Sequence, residues 1–199
     1  VNRLEASVAE LVDQGACGIA PYVTAGDGGL SRTLDVLHAL EAAGAACVEL
    51  GVPFSDPIAD GPILQAAAQR SLDAGTSVDG ILDLVARFRA AGGTLPILFF
   101  SYSNPLFVRG ISGAAQELAS AGADGLLVPD LPVEEMGPWS EAAVAVGLAP
   151  VGFITPTTSE ARVVRAAEAS RGFVYVIGRT GITGARTDLA DATTQSFLA

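Results

Sequence analysis

Residues 41–62, EAAGAACVELGVPFSDPIADGP, contain one complete joint of the repeat that organises this chain. A helical tail ends at Gly44, where glycine can adopt the left-handed conformation that reverses the backbone. An apolar run, ACVELG, follows over 46–51 with a single acid, Glu49, inside it. Three prolines (Pro53, Pro57 and Pro62) then alternate with Asp56 and Asp60. Proline fixes φ and restricts the residue before it, so this loop has few alternative conformations.

The joint recurs. LASAGADGLLV (118–128), AVAVGLAPVGF (143–153) and EASRGFVYVIG (168–178) each run helix, glycine, strand. Strands are expected in GIAPYVT (18–24), ACVELG (46–51), PILFFS (96–101), GLLVPD (125–130), APVGFIT (149–155) and FVYVIG (173–178). Most lack strict polar alternation, as strands of a parallel sheet buried on both faces do. Helical spacing fills the intervals: Leu34, Leu37, Leu40 and Ala43 in one, Ile81, Leu84, Val85 and Phe88 in another, and similar stretches at 112–122, 134–147 and 158–170. The period is about 25–30 residues, one βα unit. The interval between the second and third strands is longer and holds the acidic loop and an extra helix over 62–73. Long insertions in such units usually carry function.

Regular βα pairing suits an open doubly wound sheet or a (β/α)8 barrel. No GxGxxG fingerprint follows the first strand. Polar residues gather after strand ends instead: Asp27, the 53–60 loop, Ser101–Asn104, Asp130, Thr155–Thr158 and the 178–186 loop. Barrel active sites collect there. The expected fold is α/β, a single TIM-barrel domain over 1–199, with about two βα units beyond the sixth strand needed for closure.

Half of the 199 residues are hydrophobic, enough for one domain with a substantial core. A net charge of −11 excludes a basic nucleic-acid footprint and disfavours anionic membranes. Any bound phosphate must be held locally. The start, VNRLEASVAELVDQGA, reads as an amphipathic helix with Leu4, Val8, Leu11 and Val12 on one face rather than as a signal peptide. The expected location is the cytoplasm. Cys17 and Cys47 are expected to be small buried hydrophobes, unpaired in a reducing compartment.

Alternation within ACVELG puts Cys47, Glu49 and Gly51 on one face of the strand. An acid facing a barrel interior is costly unless paired or used. Glu49 is thus either a structural carboxylate bridged to a neighbouring strand or a general acid/base with a raised pKa. Asp56 is a turn residue or a partner contact. Asp60, set at a strand-end mouth, is the second functional candidate. No histidine accompanies these acids; the single one, His38, lies on a helix, so a magnesium site is a weak alternative. Tyr22, Phe100, Tyr102, Phe153 and Tyr175 fall in or beside strand ends and suit a flat apolar pocket. GRTGITGAR (178–186) has three glycines whose N–H groups can approach an anion, as an active-site lid would, with Arg179 and Arg186 assisting or merely exposed.

PYVTAGD, VELGVPFSDPIADGPILQAA, LLVPDLPVEE and VYVIGRTGITGAR occur in this order, and together they resemble the tryptophan synthase alpha chain family. The resemblance runs over essentially the whole sequence. It implies a (β/α)8 barrel that cleaves indole-3-glycerol phosphate to indole and glyceraldehyde 3-phosphate in L-tryptophan biosynthesis. It implies a beta-subunit partner in an alpha2beta2 complex, with pyridoxal phosphate in that partner and no cofactor or metal in this subunit. Glu49 matches the family's general acid/base and Asp60 its second carboxylate. Tyr22, Phe100, Leu127 and Tyr175 match positions around the indole, Thr183 the lid residue that reaches the aspartate, and Gly184 a backbone phosphate contact. Pro53, Asp56 and Asn104 fall in the partner-facing regions. Tyr22 and Pro129 stand where the family pattern leads one to expect Phe and Ala. The competing expectations are a non-catalytic paralogue that binds or activates a beta subunit, and another phosphate-binding barrel enzyme such as a sugar-phosphate isomerase.

Overall fold

The computed structural model describes residues 2–177. In chain order these form α1 (Arg3–Gln14), β1 (Tyr22–Thr24), α2 (Leu30–Ala42), β2 (Val48–Gly51), α3 (Pro62–Asp73), α4 (Val78–Ala90), β3 (Ile97–Phe100), α5 (Ser103–Phe107), α6 (Ile111–Ala121) and β4 (Gly125–Leu127). A 3-10 turn (Val133–Glu135), α7 (Met136–Ala145), β5 (Ala149–Pro150), β6 (Gly152–Ile154), α8 (Glu160–Ala169) and β7 (Val174–Val176) follow. Local chemistry sets several boundaries. Pro62 opens α3, where its missing N–H costs nothing. The Ser77 hydroxyl accepts from the Gly80 N–H to cap α4. Gly44 and Gly122, the predicted reversal points, have φ of 77° and 97°.

Strands β1 to β5 pair in sequence order, every pair parallel, and β6 pairs parallel with β7. A doubly wound sheet must reverse its strand order at a switch point. This sheet never does. Its strands wind one way, as barrel strands do, and the expected fold class holds.

The predicted strand 149–155 is broken. Pro150 has no N–H to donate, the Val151 N–H still bonds the Leu126 carbonyl at 2.9 Å, and the Gly152 N–H turns to the Ser170 hydroxyl at 2.8 Å. The run thus leaves β4 and joins β7. Predicted strand 18–24 also shortens to 22–24, with Gly18–Ala20 exposed. Cys17 lies in the same stretch and is exposed, contrary to expectation, because no described element covers the chain between α1 and β1; Cys47 is buried and both thiols are free. Val12 is exposed rather than on a buried face, and Leu4 is the fully buried residue of α1.

The sheet has two apolar faces. Outside, Val48, Leu50, Ile97, Phe99 and Leu126 pack against helix residues such as Leu37, Ile81, Phe88, Leu118 and Trp139. Inside, Cys47, Leu98, Leu127, Ala149 and Val151 form a separate cluster with Leu4, flanked by Phe100, Phe153, Phe173 and Tyr175. Leu4 closes the floor. A side chain at Gly125 would come within 2.8 Å of it, so glycine there admits the plug. Beside it, buried Asp124 is paired with Arg89 at 2.7 Å and Arg3 at 2.9 Å and accepts from the Ile97 N–H at 2.8 Å. Asn2 caps α1, accepting from Leu4 N–H at 2.8 Å, while its amide donates to the Gly147 carbonyl at 2.9 Å and to that of Asp124. Among the described residues these groups fill the floor, and the strand C-terminal ends form the opposite rim.

Candidate active site

Register carries Glu49 into the interior. It pairs with Tyr22 on β1 and Leu98 on β3, so all three side chains share the inner face. The residue is 6% exposed. Burial pushes its carboxyl up to about 7, and no charge or hydrogen bond among the described residues contributes to that shift. The alternative of a carboxylate bridged to a neighbouring strand therefore fails among the described residues. A carboxyl group balanced near neutrality can hold a proton and release it, the requirement for a general acid/base.

Asp60 reaches the same rim by a different route. Its N–H donates to the Pro57 carbonyl at 3.1 Å, closing a turn, and the Asp60 carbonyl accepts from Gln65 Nε2 at 2.9 Å. The hydroxyl of Tyr102, just past β3, accepts from the Ala59 N–H at 2.9 Å, next to Asp60 in the chain. The Tyr102 ring leans on Phe54 at 5.3 Å between centroids. Burial raises the Asp60 carboxyl, and the Tyr102 hydroxyl opposes that rise. Tyr102 is the residue that sequence reasoning undervalued. Its place beside a strand end groups it with the ring-lining aromatics, but in the fold it holds the loop.

Tyr22 ties the two acids together. Burial pushes its phenol up to about 12, a Thr24 hydrogen bond opposes this, and the negative charges of Asp60 and Glu49 both add to the rise. Its hydroxyl therefore lies in the field of both carboxylates and stays protonated. Around it the rings touch in sequence: Tyr22 contacts Phe100 edge-on at 5.5 Å, Phe100 contacts Tyr175 at 6.3 Å, and Tyr175 stacks on Phe153 at 5.3 Å, while Tyr102 stands apart. Leu127 pairs with Phe100 on the same face. Each of the four rings is partly exposed, so this continuous aromatic wall presents surface at the rim.

The other polar residues past strand ends serve structure. Asp27 takes a two-pronged bond from Arg70 at 2.7 and 2.8 Å. Asp130 accepts from the Ser103 N–H and hydroxyl at the start of α5, tying two rim loops together. Thr155, Thr157 and Thr158 hydrogen-bond one another. His38 leans on Phe88 away from the acids, and no group of three potential metal ligands forms among the described residues. Pro53 is buried, whereas Asp56 and Asn104 are exposed. Thr183, Gly184, Arg179 and Arg186 lie outside the described residues.

The arrangement resembles known proteins throughout. A family model described as tryptophan synthase alpha chain matches residues 8–198. The tryptophan synthase alpha chain of Alkalilimnicola ehrlichii is 44% identical over 192 residues, which cover 96% of this chain and 70% of that protein. Tryptophan synthase subunit alpha from Legionella pneumophila superposes with a TM-score of 0.85 at 34% identity, covering 89% of this chain and 68% of the other. A chain of the tryptophan synthase a2b2 complex from Pyrococcus furiosus gives a TM-score of 0.83 at 36% identity, covering 91% and 72%.

Proposed function

The chain belongs to the tryptophan synthase alpha chain family, and from that premise we propose that it cleaves indole-3-glycerol phosphate to indole and glyceraldehyde 3-phosphate. The observation that supports the proposal is an interior acid balanced near neutrality, Glu49, without a charge partner among the described residues, beside an aromatic wall and a second acid, Asp60, whose loop is held by Tyr102.

The step is a retro-aldol cleavage. The Glu49 carboxyl gives its proton to C3 of the indole, and positive charge moves to the ring nitrogen. The Asp60 carboxylate accepts a hydrogen bond from that N–H and stabilises the charged ring. Glu49, now ionised, takes the proton of the hydroxyl on the adjacent glycerol carbon. The carbonyl forms, the C3–carbon bond breaks, and its electron pair returns to the ring and neutralises the nitrogen. Glu49 ends protonated, as it began. Two acids in different environments thereby fill two roles. Tyr22, Phe100, Leu127, Phe153 and Tyr175 supply the flat apolar wall for the indole. The proposal assigns Thr183 to the lid and Gly184 to the phosphate, and it requires no cofactor or metal in this subunit.

The partner in this proposal is a beta subunit carrying pyridoxal phosphate. The Pyrococcus furiosus relative was solved as an a2b2 complex. On this chain, Ile58 in the loop that holds Asp56, and Phe107 and Val108 at the end of α5, which holds Asn104, are exposed apolar residues. Exposed apolar side chains rimmed by polar ones mark interaction surfaces.

Glu49→Gln is expected to lower indole release at least ~100-fold while the circular dichroism spectrum is kept. Asp60→Asn should lower turnover in the same assay. Undiminished turnover in Glu49→Gln would remove Glu49 from the chemistry. Complex formation with a beta subunit but no indole release from the parent chain would favour the non-catalytic reading.

A further inference from the structure

Tyr22 and Leu98 flank Glu49 in its own layer, and Cys47 lies one layer nearer the floor. The layer above, toward the rim, belongs to Gly51, which has no side chain to offer. That position is nevertheless filled. A methyl group built on Gly51 would overlap the Tyr22 hydroxyl and its ring carbons Cζ and Cε2. The Tyr22 ring therefore crosses from β1 over β2 and lies in the gap left by glycine, steadied by Phe100 against its edge.

We propose that Tyr22 is a positioning residue for the acid: its ring, seated over Gly51, shields Glu49 from water on the rim side and so keeps the proton on that carboxyl. The two residues are one device. Glycine at 51 makes room, and an aromatic ring at 22 fills it.

The titratable groups around Glu49 are consistent with a shield rather than a charge effect. Cys47 on β2, Tyr22 on β1 and Tyr175 on β7 face it, and all three have raised pKa values, so they are neutral at working pH. Asp60 acts on Tyr22 from the 53–60 loop, yet only burial drives the Glu49 shift.

The proposal rests on the catalytic reading for its significance but not for its test. The carboxyl carbon of Glu49, isotopically labelled and identified by its loss in Glu49→Gln, is titrated by NMR in the whole chain. Tyr22→Phe keeps the ring and should titrate close to the parent. Tyr22→Ala removes the shield, and Gly51→Ala displaces the ring. Each should lower the midpoint by about one unit or more, toward the ordinary glutamate value. An unchanged midpoint in folded Tyr22→Ala overturns the proposal, whatever Gly51→Ala does. So does a shift in Tyr22→Phe as large as that in Tyr22→Ala, because the hydroxyl alone would then be responsible. Failure of the Glu49→Gln activity test would leave this titration readable, so the two readings fail separately.

Discussion

At the scale of the residue, Glu49 shows how function can oppose stability. Its carboxyl rises from 4.5 to about 7 on folding. Between those values the folded protein keeps a proton that the unfolded chain has lost, so stability falls as pH rises through the window. Glu49→Gln does not titrate. It should therefore match the parent near pH 4.5 and exceed it at pH 8 by about 1–3 kcal/mol, discounted for the carboxylate's contact with water. Urea midpoints at several pH values measure this, and a gap that does not widen with pH would contradict it. Glu49 was legible in the sequence because strand alternation alone places it inside. Tyr102 was not, because its role depends on a loop 43 residues earlier folding back onto its hydroxyl. Periodicity carries no information about such a contact.

At the scale of the element, the 53–60 loop is directed by prolines and fastened by one phenol. Tyr102→Phe keeps the ring against Phe54 but removes the acceptor for the Ala59 N–H and the polar group that offsets the burial of Asp60. Turnover should fall roughly tenfold with little change in melting temperature, about the worth of one hydrogen bond. An unchanged rate would show that the prolines alone aim Asp60. Helices and strands were readable here from glycine joints and apolar spacing. The break at Val151 was not. It combines the missing donor of Pro150 with a Ser170 hydroxyl that reaches the Gly152 N–H only once α8 has packed. Close approach of α8 also requires glycine there, since a side chain at 152 would come within 2.9 Å of the Ala166 carbonyl.

At the scale of the whole molecule, one end of the sheet is closed and the other carries chemistry. Among the described residues Leu4 and the Asp124 cluster fill the floor, and every proposed catalytic group stands at or below the opposite rim. Arg89→Leu would leave buried Asp124 with Arg3 alone, whose side chain is 45% exposed. Breaking a buried pair in this way should cost about 3 kcal/mol. Thermal unfolding would register it, and because the damage is remote from the rim, KM for substrate should hold. A loss below about 0.5 kcal/mol would mean that Arg3 and the Ile97 N–H suffice for Asp124. Barrel-type winding followed from the repeat, but which residues would meet across the floor did not, because the partners are distant in the chain.

That distance has a consequence for assembly. Asn2 bonds to carbonyls 122 and 145 residues later. Ring closure over so long a span is entropically unfavourable until something else has drawn the ends together. The first helix is thus a keystone: synthesised before everything it locks, it can be set only after the arch of strands already stands.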